Sequence, residues 1–254
     1  MSVNYLAFSF PGVPQVRCAF QTRTQGADSV ASAGGNISYD VGTAAHIVAA
    51  NRASLLAALQ PLGLQAWAEL RQVHGDVLIF EPETVAPEEQ ARVEGDGMAT
   101  AAAGLGLLIK TADCQPILLA HREGGHVAAI HAGWRGNRCD FPITAVERFC
   151  QRYNLAPAEV LAVRGPSLGP QHAEFVNFAR EWGQDWLPWF DPQSQTMDLW
   201  ALTRAQLIRA GLLARNIFGL DWCTAENSAL FFSYRREKTC GRQASLIWIS
   251  AAQG

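Results

Sequence analysis

The chain has 254 residues, 49% hydrophobic and 17% charged, which is ample material for the core of a large α/β domain. Its formal net charge is -3, with arginines scattered among acids, so no basic face for nucleic acid is expected. The N-terminus lacks the basic and apolar segments of an export signal, no apolar run approaches the roughly 18 residues of a membrane span, and the 6 cysteines include no C-x-x-C pair; a soluble, cytoplasmic protein with reduced thiols is expected.

In chain order, residues 22–42 (TRTQGADSVASAGGNISYDVG) read as a long polar loop of the kind that often carries function. TAAHIVAANRASLLAALQ follows, with Ile47, Val48, Leu55, Leu56 and Leu59 near helical spacing, Thr43 as a candidate cap and PLG as a stop. AWAELRQVHGDVLIF reads as an extended segment, a turn at His74-Gly75-Asp76 and a strand over Val77–Phe80; the acidic, proline-bearing stretch after it is a connection. LGLLIKTA, PILLAH and HVAAIHAG are short β-like runs, the last two joined by REGG as a hairpin. FPITAVERFCQRYN carries a helical stripe at Val146, Phe149, Cys150 and Tyr153, with Pro142 tolerable in its first turn. VLAVRGPSLG reads as a strand entering a turn, AEFVNFAREW and DLWALTRAQLIRAGLL as amphipathic helices, and ALFFSYRRE and ASLIWIS as late strands. Hairpins mixed with helical crossovers predict one α/β domain over 1–254, a mixed β-sheet covered by helices.

Three strand or turn ends carry the chemistry: His74, Cys114 and His131. Their separations of 40 and 17 residues make no local metal motif, so they matter only if the fold brings them together. Converged, a His2Cys set without a fourth Cys or His would hold zinc with an open position, the pattern of a catalytic site. The bland alternative is a small buried Cys and satisfied histidines. A third reading makes Cys114 a nucleophile with His131 as its base, which leaves His74 without a role. Further polar candidates sit in glycine-rich settings: Asp96, Asp113, Arg135, Arg164 and Arg235, where an Arg near a metal could bind phosphate and a Gly could simply make a turn. His121 and His126 bracket the hairpin turn and are expected to be solvated, and His46 and His172 lie on helical stretches with no partner in view.

The ordered set NR (Asn51–Arg52), QVHG (Gln72–Gly75), GDGMAT (Gly95–Thr100), TADCQP (Thr111–Pro116), HAGWRG (His131–Gly136), GPSLG (Gly165–Gly169), CT (Cys223–Thr224), FFSYRRE (Phe231–Glu237) and TCGRQA (Thr239–Ala244) resembles the laccase-domain family, also called the polyphenol oxidase or YfiH family. That resemblance implies a single α/β domain and a zinc site with His74, Cys114 and His131 as ligands. It further implies phosphorolysis of adenosine, inosine and methylthioadenosine to free base and ribose 1-phosphate, together with adenosine deamination. Purine nucleoside and phosphate are then the partners, with no nucleic acid or membrane. Cys114, Asp113 and Arg52 are the catalytic candidates, Arg52 as the cation that holds phosphate, and Asn36, Arg52 and Arg135 the substrate-binding ones. In the 22–42 loop only Asn36 and Gly42 align with the family's wording, and GPQHAEFV lacks its usual Cys/Tyr-Glu-Val pattern.

Copper is the alternative metal, since N/S sites favour it over zinc, although the 6 histidines include no H-x-H pair of the multicopper type. The family's fold is grouped with cysteine deamidases and amidases, which keeps a thiol hydrolase acting on cell-wall precursor peptides as another reading, beside a metal that only ties strands together.

Overall fold

Strands that read as unbroken apolar runs are covered on both faces, and this chain stacks its layers to do so. The computed structural model describes residues 3–25 and 33–251, so the stretch 26–32 of the expected polar loop lies outside the described residues. The strands are β1 (Tyr5–Phe8), β2 (Val16–Gln21), β3 (Ala66–Glu69), β4 (Leu78–Phe80), β5 (Gly97–Thr100), β6 (Leu105–Thr111), β7 (Gln115–His121), β8 (Val127–Ala132), β9 (Val160–Arg164), β10 (Phe190–Asp191), β11 (Thr196–Met197), β12 (Ile217–Gly219) and β13 (Gln243–Ile249). The α-helices are α1 (Ala45–Leu59), α2 (Trp134–Arg138), α3 (Phe141–Tyr153), α4 (Phe178–Glu181), α5 (Leu199–Arg209) and α6 (Tyr234–Glu237).

The α/β class expected from the sequence is the one observed, but the strands divide between two mixed sheets. One has the order β1-β2-β13-β6-β3, the other β12-β9-β7-β8-β5-β4, and β10-β11 form a small separate hairpin. The pairs β3–β6, β4–β5 and β9–β12 are parallel and the remaining pairs antiparallel.

Strand period two sorts the side chains into separate cores. On β7, Leu118 and Ala120 face the other sheet, where they meet Phe20, Leu107, Ile109 and Ile247; Ile117 and Leu119 face outward onto Val146 and Phe149 of α3 and Leu207 of α5. The outer face of the first sheet, with Trp67, Leu108, Leu246 and Trp248, is covered by Leu55 and Leu59 of α1. The result is four layers, helix, sheet, sheet, helix, and each fully buried Leu or Ile contributes about 1.5–3 kcal/mol relative to exposure.

Several expectations need correction. Thr43 does not cap α1: the N-cap is Ala44 without a side-chain bond, and Thr43 Oγ1 instead accepts from Asn36 Nδ2 at 3.0 Å. AEFVNFAREW is helical only over Phe178–Glu181, because Phe175, Phe178 and Trp182 turn into an aromatic cluster with Trp134 and Phe190. Trp186 and Trp189 pack against the same cluster. ALFFSYRRE is not a strand; Ser233 Oγ accepts from Arg236 N and starts the short helix α6. The strands β1, β2, β5, β10, β11 and β12 have no counterpart in the sequence reading.

Candidate metal centre

Three elements deliver three donors to one point. Cys114 lies in the turn between β6 and β7, His131 near the end of β8, and His74 in the tight turn before β4, with φ +61. Their ligand atoms all lie within 4.8 Å of one another; Cys114 Sγ is 3.9 Å from His74 Nε2, and the two imidazoles meet edge-on with centroids 4.9 Å apart. His131 is buried, Cys114 half-buried and His74 exposed, so the cluster opens to solvent on one side. Tetrahedral zinc with bonds near 2.0–2.3 Å sets its ligand atoms about 3.3–3.8 Å apart, so small side-chain adjustments would close these donors on an ion.

Asp96 is the brace for both histidines. Its Oδ1 lies 2.8 Å from His131 Nδ1 and accepts from His74 N at 2.9 Å, while Oδ2 accepts from Val73 N at 3.2 Å and Gly75 N at 2.7 Å. One fully buried carboxylate thus leaves Nε2 of His131 free to point at an ion and holds the turn that carries His74 in its left-handed conformation. Burial alone would raise the Asp96 carboxyl; the bonds from His131 and from the 74–75 backbone outweigh it and hold the group below its usual value. Sequence reasoning had Asp96 only as an unassigned candidate.

Burial opposes the charged forms of Cys114 and His131, yet each stabilises the other. The neighbouring imidazoles draw the Cys114 thiol down to about 6, and the thiolate together with Asp96 holds His131 up at about 9. Such a thiolate is ready for a soft cation or an electrophile. Gly133 closes one side: a Cβ there would stand 3.0 Å from His74 Cδ2 and 3.1 Å from Cys114 Sγ. The helix α2 that follows is pinned by Asn137, whose Oδ1 accepts from Gln115 and whose Nδ2 donates to Thr203 and Gln206.

The other sequence candidates are distributed unevenly around this centre. Asp113 (φ +95) adjoins Cys114, but its carboxylate is engaged, Oδ1 by Thr224 Oγ1 at 2.6 Å and Oδ2 by Arg235 N at 2.6 Å. Asn36 is fully buried and bonded to Ser38, Thr43 and Arg242, where it knits loops together. Arg135 is exposed and lies over the Trp134 ring at 4.5 Å. Arg164 is buried over Trp200 and paired with Asp221; Arg235 donates to the Glu174 carbonyl at 3.1 Å.

Arg52 is 1% exposed and ion-paired with Glu69, which also pairs with Lys110. Its guanidinium lies 5.1 Å from the Tyr39 ring centroid and 5.7 Å from that of Trp67, and its Nε and Nη1 have no hydrogen-bond partner among the described residues. The strand carrying Lys110 is tied to the metal turn by Gln72, which donates to Lys110 O at 2.9 Å and accepts from Lys110 N at 2.8 Å two residues before His74.

The family model described as "Multi-copper polyphenol oxidoreductase laccase" matches residues 17–250. A purine nucleoside phosphorylase of Xylella fastidiosa is 38% identical over 228 residues, covering 85% of this chain and 84% of the relative. The purine nucleoside phosphorylase YfiH of Escherichia coli is 34% identical over 215 residues, covering 78% and 79%. Among solved structures, YlmD from Geobacillus stearothermophilus superposes with a TM-score of 0.82 at 26% identity, covering 99% of this chain and 98% of that one.

Proposed function

We propose that this chain, which belongs to the multi-copper polyphenol oxidoreductase laccase family, is a zinc-dependent purine nucleoside phosphorylase, one domain over 1–254, that takes adenosine, inosine and methylthioadenosine with phosphate. The observation that carries the proposal is the convergence of His74, Cys114 and His131 on one point, with Asp96 behind His131, in a chain whose relatives are named as purine nucleoside phosphorylases.

The donor set fits zinc: one thiolate and two imidazoles, an open side, and an outer carboxylate on the second nitrogen of His131. Bound there, the ion would supply Lewis-acid and water-activating chemistry. The remaining work falls to the chain. In phosphorolysis a phosphate oxygen forms a bond to the anomeric carbon as the bond to the base nitrogen breaks, so phosphate must be held in line and its charge offset. Among the described residues Arg52 and Lys110 share one counter-ion, Glu69, which leaves that cluster with surplus positive charge and two unpartnered guanidinium donors; we assign it the anion. Arg135, exposed beside the metal turn, and Asn36, through the loop it orders, complete the substrate-binding candidates. Asp113 acts by fixing the backbone of Cys114 rather than by exchanging a proton, since both its oxygens are already bonded.

Deamination of adenosine is the second activity we assign to the same centre, by its capacity to activate water. Both are tested by metal analysis of the purified chain and of Cys114→Ala, followed by incubation with inosine plus phosphate, and with adenosine alone. The expected result is about one zinc per chain, hypoxanthine and ribose 1-phosphate from inosine, inosine from adenosine, and loss of all three in the variant. Zinc-replete protein that releases no base would overturn the phosphorylase, and absence of inosine would remove the deaminase.

The lowered Cys114 thiol beside His131 favours one rival, a Cys–His hydrolase. The rival requires that metal-free protein keep its activity and lose it on alkylation of Cys114; the metal-dependent reading requires the opposite response to chelation.

A further inference from the structure

A second set of soft and borderline donors meets on the far side of the Asp113 turn. His172 ends the single 3-10 turn Pro170–His172; Cys223 and Glu226 stand three residues apart in a turn closed by Asn227 N donating to Cys223 O at 3.0 Å. That spacing puts Cys223 and Glu226 on one side of the turn, facing His172. The ligand atoms of the three residues all lie within 4.8 Å of one another, and His172 Nε2 is 3.0 Å from Glu226 Oε1.

We propose that His172, Cys223 and Glu226 form a second cation site, for a thiophilic divalent ion of the zinc class. Three features besides proximity point there. Cys223 is 4% exposed, and its Sγ is fixed in place by a hydrogen bond accepted from Gly169 N at 3.2 Å. Position 169 is a glycine against which the thiol packs: a Cβ there would stand 3.0 Å from Cys223 Cβ and 3.1 Å from Sγ, so any larger residue would push the sulfur away from its partners. The two other ligands keep 39% and 51% side-chain exposure, which lets an ion enter from solvent and retain a water as its fourth ligand. Binding releases the Cys223 thiol proton, and any proton His172 Nε2 shares with Glu226 Oε1, to solvent, and replaces that 3.0 Å His172–Glu226 contact with bonds from each to the metal.

The site is built from residues other than those of the first centre but is joined to it. Thr224, next to Cys223, donates to Asp113, whose neighbour is Cys114, and Leu168 N donates to Asp113 O at 2.9 Å. An ion at Cys223 therefore stiffens the loops that hold the Cys114 turn. The alternative is an ordinary surface His–Glu pair above a buried thiol.

The test uses the full chain carrying Cys114→Ser, which removes the first centre, so its result does not depend on the phosphorylase reading. After chelator treatment it is titrated with Co2+, whose thiolate ligation gives an intense charge-transfer absorption, and then with Zn2+ in competition. Expected are about one ion per chain, a thiolate band that Cys223→Ser abolishes, and a Kd raised at least about tenfold by His172→Ala. Should Cys223→Ser fail to fold, His172→Ala and Glu226→Gln, both on part-exposed side chains, decide the matter by the same tenfold criterion. No bound Co2+, a band that survives Cys223→Ser, or an unchanged Kd in the His172 and Glu226 variants overturns the proposal and leaves the ion pair only.

Discussion

The two clusters of potential ligands are alike in content, each with a cysteine and at least one histidine, and opposite in construction. His74, Cys114 and His131 are set by strand ends and the tight turn between β3 and β4, and a single fully buried carboxylate fixes the His131 imidazole and the backbone of the turn that carries His74. His172, Cys223 and Glu226 sit on loops, and two of the three hold each other rather than being held from behind. Orientation by an outer shell is what separates a site prepared for chemistry from one that an ion must assemble as it binds.

The sharpest break in that comparison is Cys114→Ala. Metal at the first centre and base release should both fall to background, with the folded state retained on thermal melting; a variant that keeps wild-type turnover would show that the prepared cluster is not the working one. Next is Asp96→Asn, which touches no ion but should weaken metal affinity about 10–100-fold in competition with a chelator. The same exchange has no equivalent at the loop cluster, and an unchanged affinity would erase the distinction between the two.

A smaller effect comes from pH. A bound metal needs a Cys114 thiolate and a neutral His131. With the thiol drawn down to about 6 and the imidazole held up at about 9, metal uptake between those values must expel one proton, from His131. Affinity should rise about tenfold per pH unit there and about a hundredfold per unit below 6, where the thiol must also be deprotonated, levelling off above 9. A chelator-competition series that is flat from 6 to 9 would contradict the thiolate–imidazolium pairing. Smallest is Gly133→Ala: its φ of -75 accepts any residue, so the few-fold loss of affinity expected from crowding His74 and Cys114 isolates steric intrusion from backbone strain.

Much of the scaffold was legible in the sequence because its long apolar runs and helical stripes coincide with β6, β7, β8, β13, α1, α3 and α5. Their division into two sheets was not, since a run such as Ile117–Ala120 is apolar at every position and does not declare which face meets which partner. Phe231 and Phe232 have strong β character yet are buried in an irregular segment before α6, and the aromatic residues at 175–182 follow their cluster rather than helix periodicity. At the site, spacings of 40 and 17 residues made the triad invisible to local pattern, so the residues alone left it as one of three readings and the resemblance singled it out. Asp96 could not be recognised as a brace because its four donors arrive from 73–75 and 131 only through the tertiary fold. Arg52 was legible as a cation but not as the buried partner of Glu69.

The alternation along β7 has an evolutionary reading. Odd and even positions of the strand serve different cores, so one residue gained or lost within 115–121 would send every side chain to the wrong layer while also shifting Cys114 relative to His131. Length changes between this chain and its relatives should therefore collect in the connections, such as 22–42 and 81–95, and the stretch from 105 to 132 should keep its residue count even where identity has drifted.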